Sequence, residues 1–500
     1  INDGTADDGD SLAVTYDDGD QAISIDDDSV DSAALKDVGY TAANIATLAV
    51  STKGGADSVT VTDGTTTPLT VDGGGSQNDT LTMQGSGAAA NTYTVQPGTS
   101  VAMNSTTADF TGVEQLVLDS NSQSGSVTVT ADGSGNQLSY VGDAAATGAA
   151  TISIDGALAA SLSNFAAASS VTLDAGDGDD TVSVAPNAAT DLATVTISAS
   201  SGSDSLTVEG DSGADALTYT PGAADADGTV AIDGVTTGFS SVESVSLSGL
   251  GGSDSLTANG TAGNDTLVYV SGLNDDGQLQ VNSSTPVTFG SIENRTIDSG
   301  AGTDNLAITA TDFSDTIAVA GAAGSNTVVV NGASVTFVHD TGAEDTLAVV
   351  SGLGNDSLSI TPTTGLAIVA DAGAGSDDVS VVGTAAADAI SVALNARTIN
   401  GLGGQVSLTA VESLSVQGNG GSDTVTLTEL GLSSEFNTTS LSVTGGSLTV
   451  EGTAGDETIS VSPTAAGVGS FSEADAGPAV DYSGFDTATT FDGNSGFDVL

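Results

Sequence analysis

The stretch Gly302-Thr303-Asp304-Asn305-Leu306-Ala307-Ile308-Thr309-Ala310-Thr311-Asp312-Phe313-Ser314-Asp315-Thr316-Ile317-Ala318-Val319 contains one unit twice. Asp304 is followed at the second and fourth positions by Leu306 and Ile308, and Asp315, 11 residues on, by Ile317 and Val319. Alternation of apolar with small or polar residues marks a half-buried strand, so each aspartate opens a short strand. Four more pairs have the same spacing: Asp204 and Asp215, Asp254 and Asp265, Asp345 and Asp356, Asp377 and Asp388. In seven of the ten copies Gly stands two positions before the Asp, which suits a tight turn with positive φ.

The ladder extends through glutamates. Val242-Glu243, Ile292-Glu293 and Val411-Glu412 place a Glu 11 residues before Asp254, Asp304 and Asp423, and Val113-Glu114 is a further copy. Asp57 and Asp79 lie in weaker copies near the start. Intervals between repeats vary while the strand–turn unit persists, as a solenoid tolerates. The expected fold is all-β, a repetitive β-solenoid or parallel β-helix-like array, with tandem β-sandwich domains as the alternative. The expected organisation is an acidic N-terminal segment at 1–55 with a short helix within 31–48, degenerate β repeats at 56–165, the ladder array at 166–463, and a connector leading into a further repeat at 464–500.

Composition narrows the function. The chain has 65 Asp and Glu against 4 Lys and Arg, a formal net charge of −61, with one His, no Cys and no Trp. Nothing in it could neutralise phosphates, which excludes nucleic-acid binding, and disulfides and Cys-ligated metals are absent. No apolar run is long enough for a membrane span. The balance fits an extracellular or cell-surface protein. The start at Ile1 and the motif beginning again at Gly496 read as an excerpt of a longer chain.

Gly176-Asp177-Gly178-Asp179-Asp180, Gly300-Ala301-Gly302-Thr303-Asp304, Gly352-Leu353-Gly354-Asn355-Asp356 and Gly373-Ala374-Gly375-Ser376-Asp377 resemble the hemolysin-type calcium-binding repeat, G-G-x-G-x-D-x-U-x. That resemblance implies Ca²⁺ as cofactor and Asp180, Asp304, Asp356 and Asp377 as ligands. The turns at 251–254 and 420–423 match less fully, and the family's uninterrupted nonapeptides are replaced here by 11-residue spacing. The composition is also similar to that of large acidic surface-layer and adhesin proteins. Carboxylates stacked one strand apart, ~4.8 Å, repel by about 3.5 kcal/mol at an effective dielectric of 20, a cost that a divalent cation removes. The candidate metal ligands are therefore Asp180, Asp204, Asp215, Asp254, Asp265, Asp304, Asp315, Asp356, Asp377, Asp388 and Asp423. The alternative is that each Asp caps backbone N–H groups of its own turn.

His339, at a strand end, reads as a solvated surface residue. Arg295 takes the place of an inward apolar residue and would neutralise nearby acid. Four scattered cations and the lack of Trp argue against a lyase or glycan-cleaving enzyme, so no enzymatic activity is expected. The expected function is a structural module of a surface layer, filament or stalk, self-associating and stabilised by calcium. The alternative is a spacer in an adhesin or matrix-binding protein that contacts surface glycans.

Overall fold

The computed structural model describes residues 10–17, 20–27, 38–40 and 47–492, except 53–55, 76–77, 144–145, 147, 187–191, 233, 274, 342–344, 429–437, 443–445, 452–458, 474–478 and 486–487. The described residues are all strand, turn and loop. They fall into two compact units, Ile1–Asp254 and Ser255–Leu500.

Each unit is a solenoid wound from two sheets. In the first, Ser170–Asp177, Thr194–Ser201 and Val235–Ser240 pair in parallel on sheet I, while Thr181–Ala185, Ser205–Glu209 and Ser244–Ser248, which alternate with them along the chain, pair in parallel on sheet II. One coil is thus one strand in each sheet. The second unit is wound alike, with Asn305–Thr309, Asp345–Val350 and Leu366–Asp371 parallel on sheet II and Ser357–Ile360, Asp378–Val382 and Ser413–Gln417 parallel on sheet I. Parallel neighbours in sequential coils separate this topology from tandem sandwiches, in which hairpin-connected strands run in opposite directions.

The antiparallel pairs come from three-strand meanders set into single positions of the coil. Asn91–Gln96 pairs in parallel with Gly125–Thr130 of the following coil; the chain then folds back through Ser100–Met103 to Thr106–Thr111, which pairs with Leu69–Asp72 of the preceding coil. The opening strand therefore skips ahead, and the closing strand fills the gap behind it. In the first unit the meanders occupy sheet II (Asp10–Asp17, Asp20–Asp27, Val38–Tyr40), sheet I (from Asn91), sheet II (from Gln137) and sheet I (from Ala216) in turn. The second unit repeats that alternation, starting at Thr266, Thr316, Ala389 and Ile459.

The core lies between the sheets and follows from period two. In Ser205–Glu209 the inward Leu206 and Val208 are buried and the three alternate residues half-buried. Across the sheets, the Tyr93 hydroxyl donates to the Asp119 carbonyl at 2.8 Å in the first unit, and Phe471 meets Phe491 edge-on, centroids 5.6 Å apart, in the second.

Two sequence expectations change. Residues 38–40 are a strand of the first meander, and the remainder of the helix expected within 31–48 falls largely on residues outside those described. The described residues within 464–492 continue the coil: Ile459–Ala465, Val468–Glu473 and Val480–Ser483 form a meander, and Ala488–Asp492 pairs in parallel with Ser447–Glu451.

The paired glycines of the turns are required because successive turns nearly touch. A Cβ on Gly375 would sit 1.5 Å from the Gly354 carbonyl oxygen, and one on Gly202, at φ 155°, 1.7 Å from that of Gly178. By contrast, a Cβ on Gly251 meets nothing within 4 Å. Gly375→Ala is expected to cost about 2–3 kcal/mol in urea unfolding, and Gly251→Ala less than about 0.5 kcal/mol.

Candidate functional site: the carboxylate ladder

Every candidate Asp stands at the mouth of a strand; the carboxylates of those that open plain strands reach across to the neighbouring coil, whereas those that open meanders join a file through their N–H. The Asn136 N–H donates to Asp180 Oδ1 at 2.7 Å, the Asp180 N–H to Asp204 Oδ1 at 2.8 Å, and the Asp204 N–H to Glu243 Oε2 at 2.8 Å. On the opposite edge of the first unit, the Asp215 N–H donates to Asp254 Oδ1 at 2.8 Å. The second unit has three such files: Asp265 to Asp304 to Asp345 at 2.8 Å each; Asp315 to Asp356 to Asp377 at 2.7 Å each, then Glu412 at 2.9 Å; and Asp388 to Asp423 at 3.0 Å. Main chain returns the bond: the N–H after one ladder Asp donates to the carbonyl of the preceding one, as from Ser205 to Asp180 and from Ser357 to Asp315, both 2.9 Å. The carboxylate thus extends the parallel ladder one residue beyond the strand and satisfies an N–H that would otherwise be buried unpaired.

Stacked partners are not the residues 11 apart. Asp204 opens a sheet II strand and Asp215 a sheet I strand, so the 11-residue interval is half a coil and puts its two acids on opposite edges. Stacked acids are 21 to 24 residues apart across a plain coil, and 35 to 41 across a coil that includes a meander.

The acids divide into two kinds. Asp215, Asp265, Asp315 and Asp388 open meanders, and donors crowd their carboxylates. Asp315 accepts the Thr311 N–H at 3.0 Å, the Thr311 hydroxyl at 2.8 and 3.1 Å, and the Asn331 side-chain amide. Asp265 takes the same set from Thr261 and Asn282, Asp388 is held by Thr384, and Asp215 by the Asp211 N–H. Asn282 and Asn331 sit at φ 55° and 52° in the hairpin that follows, a conformation Asn tolerates. The plain-coil acids Asp180, Asp204, Asp304, Asp356, Asp377 and Asp423 differ. They are 0–2% exposed, Oδ1 holds an N–H of the preceding coil, and Oδ2 is buried without a hydrogen-bond partner. Burial, and after it the facing acids, pushes Asp204, Asp356 and Asp377 above the usual carboxylate range; Asp345 is pushed up likewise, with His339 partly opposing.

This donor set does not fit calcium. A Ca²⁺ ion needs six to eight oxygens, whereas N–H and O–H donors converge on the meander acids, and each plain-coil acid has a single unengaged oxygen. Among the described residues no three acids or histidines converge on a metal-sized centre.

Several ladder members stand outside the set chosen from sequence. Asp57 and Asp79 donate onward to Asp79 Oδ1 at 2.8 Å and Glu114 Oε2 at 2.9 Å, and Asp345, Glu243 and Glu412 complete other files. Asp345 belongs to an 11-residue pair and Asp57 and Asp79 to the weaker copies, while the repeated Val-Glu dipeptide marks Glu114, Glu243 and Glu412. Asn136, an uncharged member, had no such mark.

His339 is not a surface residue. It is 4% exposed, stacks on Phe337, and places Nε2 3.0 Å from the Asn326 amide and Nδ1 3.0 Å from the Asp340 carbonyl and 3.5 Å from Asp345 Oδ2. Arg295 does point inward, opposite Val335. Its guanidinium pairs with Asp275 at 3.0 Å and lies over the Phe289 ring, 5.8 Å from the centroid.

A groove of about 840 Å³ in the first unit has three acids in its wall, each engaged with main chain: Glu114 with the Asp79 N–H, Asp132 with that of Ser134, and Asp155 with that of Gln137. Hydrogen bonds from Ser134 and Asn136 hold Asp132 below the usual range. No protein-family model matches this chain, and no curated protein matches it.

Asp315→Asn is expected to destabilise by about 1–3 kcal/mol in denaturant titration, because its amide NH₂ would face the Thr311 and Asn331 donors. Arg295→Met should be neutral or stabilising, since replacing a buried charge with a volume-matched apolar side chain often is. Asp275→Ala, which strands the guanidinium, should cost about 1–3 kcal/mol in the same measurement.

Proposed function

We propose that this chain is a structural module of an extracellular repeat protein, of the surface-layer, filament or stalk kind. The observation that carries the reading is the hand-over of each coil's N–H to the next coil's carboxylate. It is the main use the fold makes of its inward acids, and it lets the array lengthen by whole coils without new chemistry.

Charge sets the terms of assembly. At a net charge of −61, copies repel one another, and monovalent salt screens over ~8 Å only. Side-by-side packing therefore calls for a divalent cation on the outward acids, which places calcium between copies and not inside the coil. In an adhesin the same segment would serve as a spacer and stay monomeric.

Electron microscopy and sedimentation of the purified chain, with Ca²⁺ or with chelator, test this reading. The expected result is calcium-dependent layers or filaments and a Tm that chelator leaves unchanged. A chelator-induced fall in Tm would return calcium to the coil interior, and a monomer in both conditions would leave the spacer reading. Protease treatment of intact source cells should release peptides of this chain; their recovery from the cell interior alone would overturn an extracellular role.

A further inference from the structure

One file in the second unit sets out an electrostatic problem in full. Asp315, Asp356, Asp377 and Glu412 follow one another along the edge at sheet I, each N–H donating to the next carboxylate. Asp356 and Asp377 are 2% and 0% exposed, and the Oδ2 of each is buried with no donor. The charged groups facing Asp356 are Asp315 and Asp377; those facing Asp377 are Asp356, Glu412 and Asp378. All are acids. Full ionisation would place like charges about one strand spacing apart, ~4.8 Å, with each Oδ2 stripped of water and unpaired, an arrangement that strongly disfavours the ionised form.

Two species could relieve this. A metal ion would require more oxygens than one per coil. A proton on Oδ2 requires no ligand shell, leaves Oδ1 free to accept its N–H, and removes the charge. The Glu412 carboxylate, which accepts the Asp377 N–H at 2.9 Å, stands beside the Asp377 carboxyl and offers an acceptor to a proton there. A neutral side chain is already accommodated in a ladder position at Asn136, whose N–H makes the same hand-over to Asp180. Burial and the facing acids favour the protonated form at both Asp356 and Asp377.

We propose that the Asp356–Asp377–Glu412 file is a proton-operated fastener between coils, carrying protons on its inward edge in the folded chain and tightening as the surroundings acidify. Because folding raises the proton affinity of Asp356 and Asp377, the folded state binds more protons than the unfolded one between the two titrations. Stability therefore grows as pH falls from neutral through the folded-state titration, and levels off below the unfolded value of about 3.9.

Asn is the isostere of the protonated acid, since it keeps Oδ1 and replaces Oδ2 by an uncharged group. Thermal unfolding of the full chain from pH 8 to pH 4.5, with chelator present, should show wild-type Tm rising as pH falls. The double variant Asp356→Asn/Asp377→Asn should melt about 2–4 °C higher than wild type at pH 8 and gain less on acidification. Asp312→Asn removes one charge from an exposed turn on the same edge and should keep the wild-type slope. In ¹³C spectra, the two carboxyl resonances missing from the double variant should titrate at higher pH than the exposed acids. The proposal is overturned by a double variant that melts below wild type at pH 8 with its slope intact, or by those two resonances titrating with the exposed acids. Stabilisation of wild type, but not of the double variant, by Ca²⁺ at pH 8 would also overturn it, in favour of a metal ion.

Discussion

The hydrogen bond from the first N–H of one coil to the carboxylate of the next governs this fold. A parallel ladder can begin at the same place in every coil only if the N–H at the strand mouth has an acceptor, and the turn just above it supplies no carbonyl there. Aspartate is short enough to reach that N–H from its own strand mouth. At Glu114 and Glu243 the N–H groups of both the Glu and the residue after it converge on one carbonyl, that of Asp79 or Asp204, and the longer side chain spans the difference. Close stacking then dictates the rest: glycines where turns approach carbonyl to backbone, and mostly small aliphatic side chains in the narrow space between the sheets.

The ladder also sorts the charge of the chain. Acids that open plain strands give one oxygen to the main chain of a neighbouring coil and face away from water, whereas acids such as Asp298 and Asp371 make Asx turns with N–H groups two residues on. The formal total thus mixes two populations. One serves cohesion between coils and the other repulsion between molecules.

The strands were legible in the sequence because period two, an opening Asp and a preceding Gly all agree at each copy, and the inward place of Arg295 followed from that register. The pairing was not. Spacing along a chain counts residues, whereas stacking depends on which sheet each strand joins, so acids 11 apart read as neighbours and lie on opposite edges. Meanders were hidden because a middle strand that runs backwards has the same alternation as one that runs forwards. Their one local mark is Thr or Asp four residues before the acid, as at Thr261, Thr311 and Thr384. His339 was misread because a polar residue after a strand normally meets solvent, while here the edge of the coil closes over it with Asn326 and Thr363.

The regular shift of meanders from sheet to sheet has a geometric meaning. A plain coil widens both sheets by one strand, but a meander adds two extra strands to one sheet alone, which puts the two faces out of phase by about 10 Å at the usual strand spacing. The next meander, on the other sheet, cancels the offset. Two added strands also restore chain direction, so polarity is unaffected. Within each unit the insertions therefore act as a vernier: length can be added in whole coils or in balanced pairs of hairpins, and a lone hairpin would leave one sheet overhanging the other.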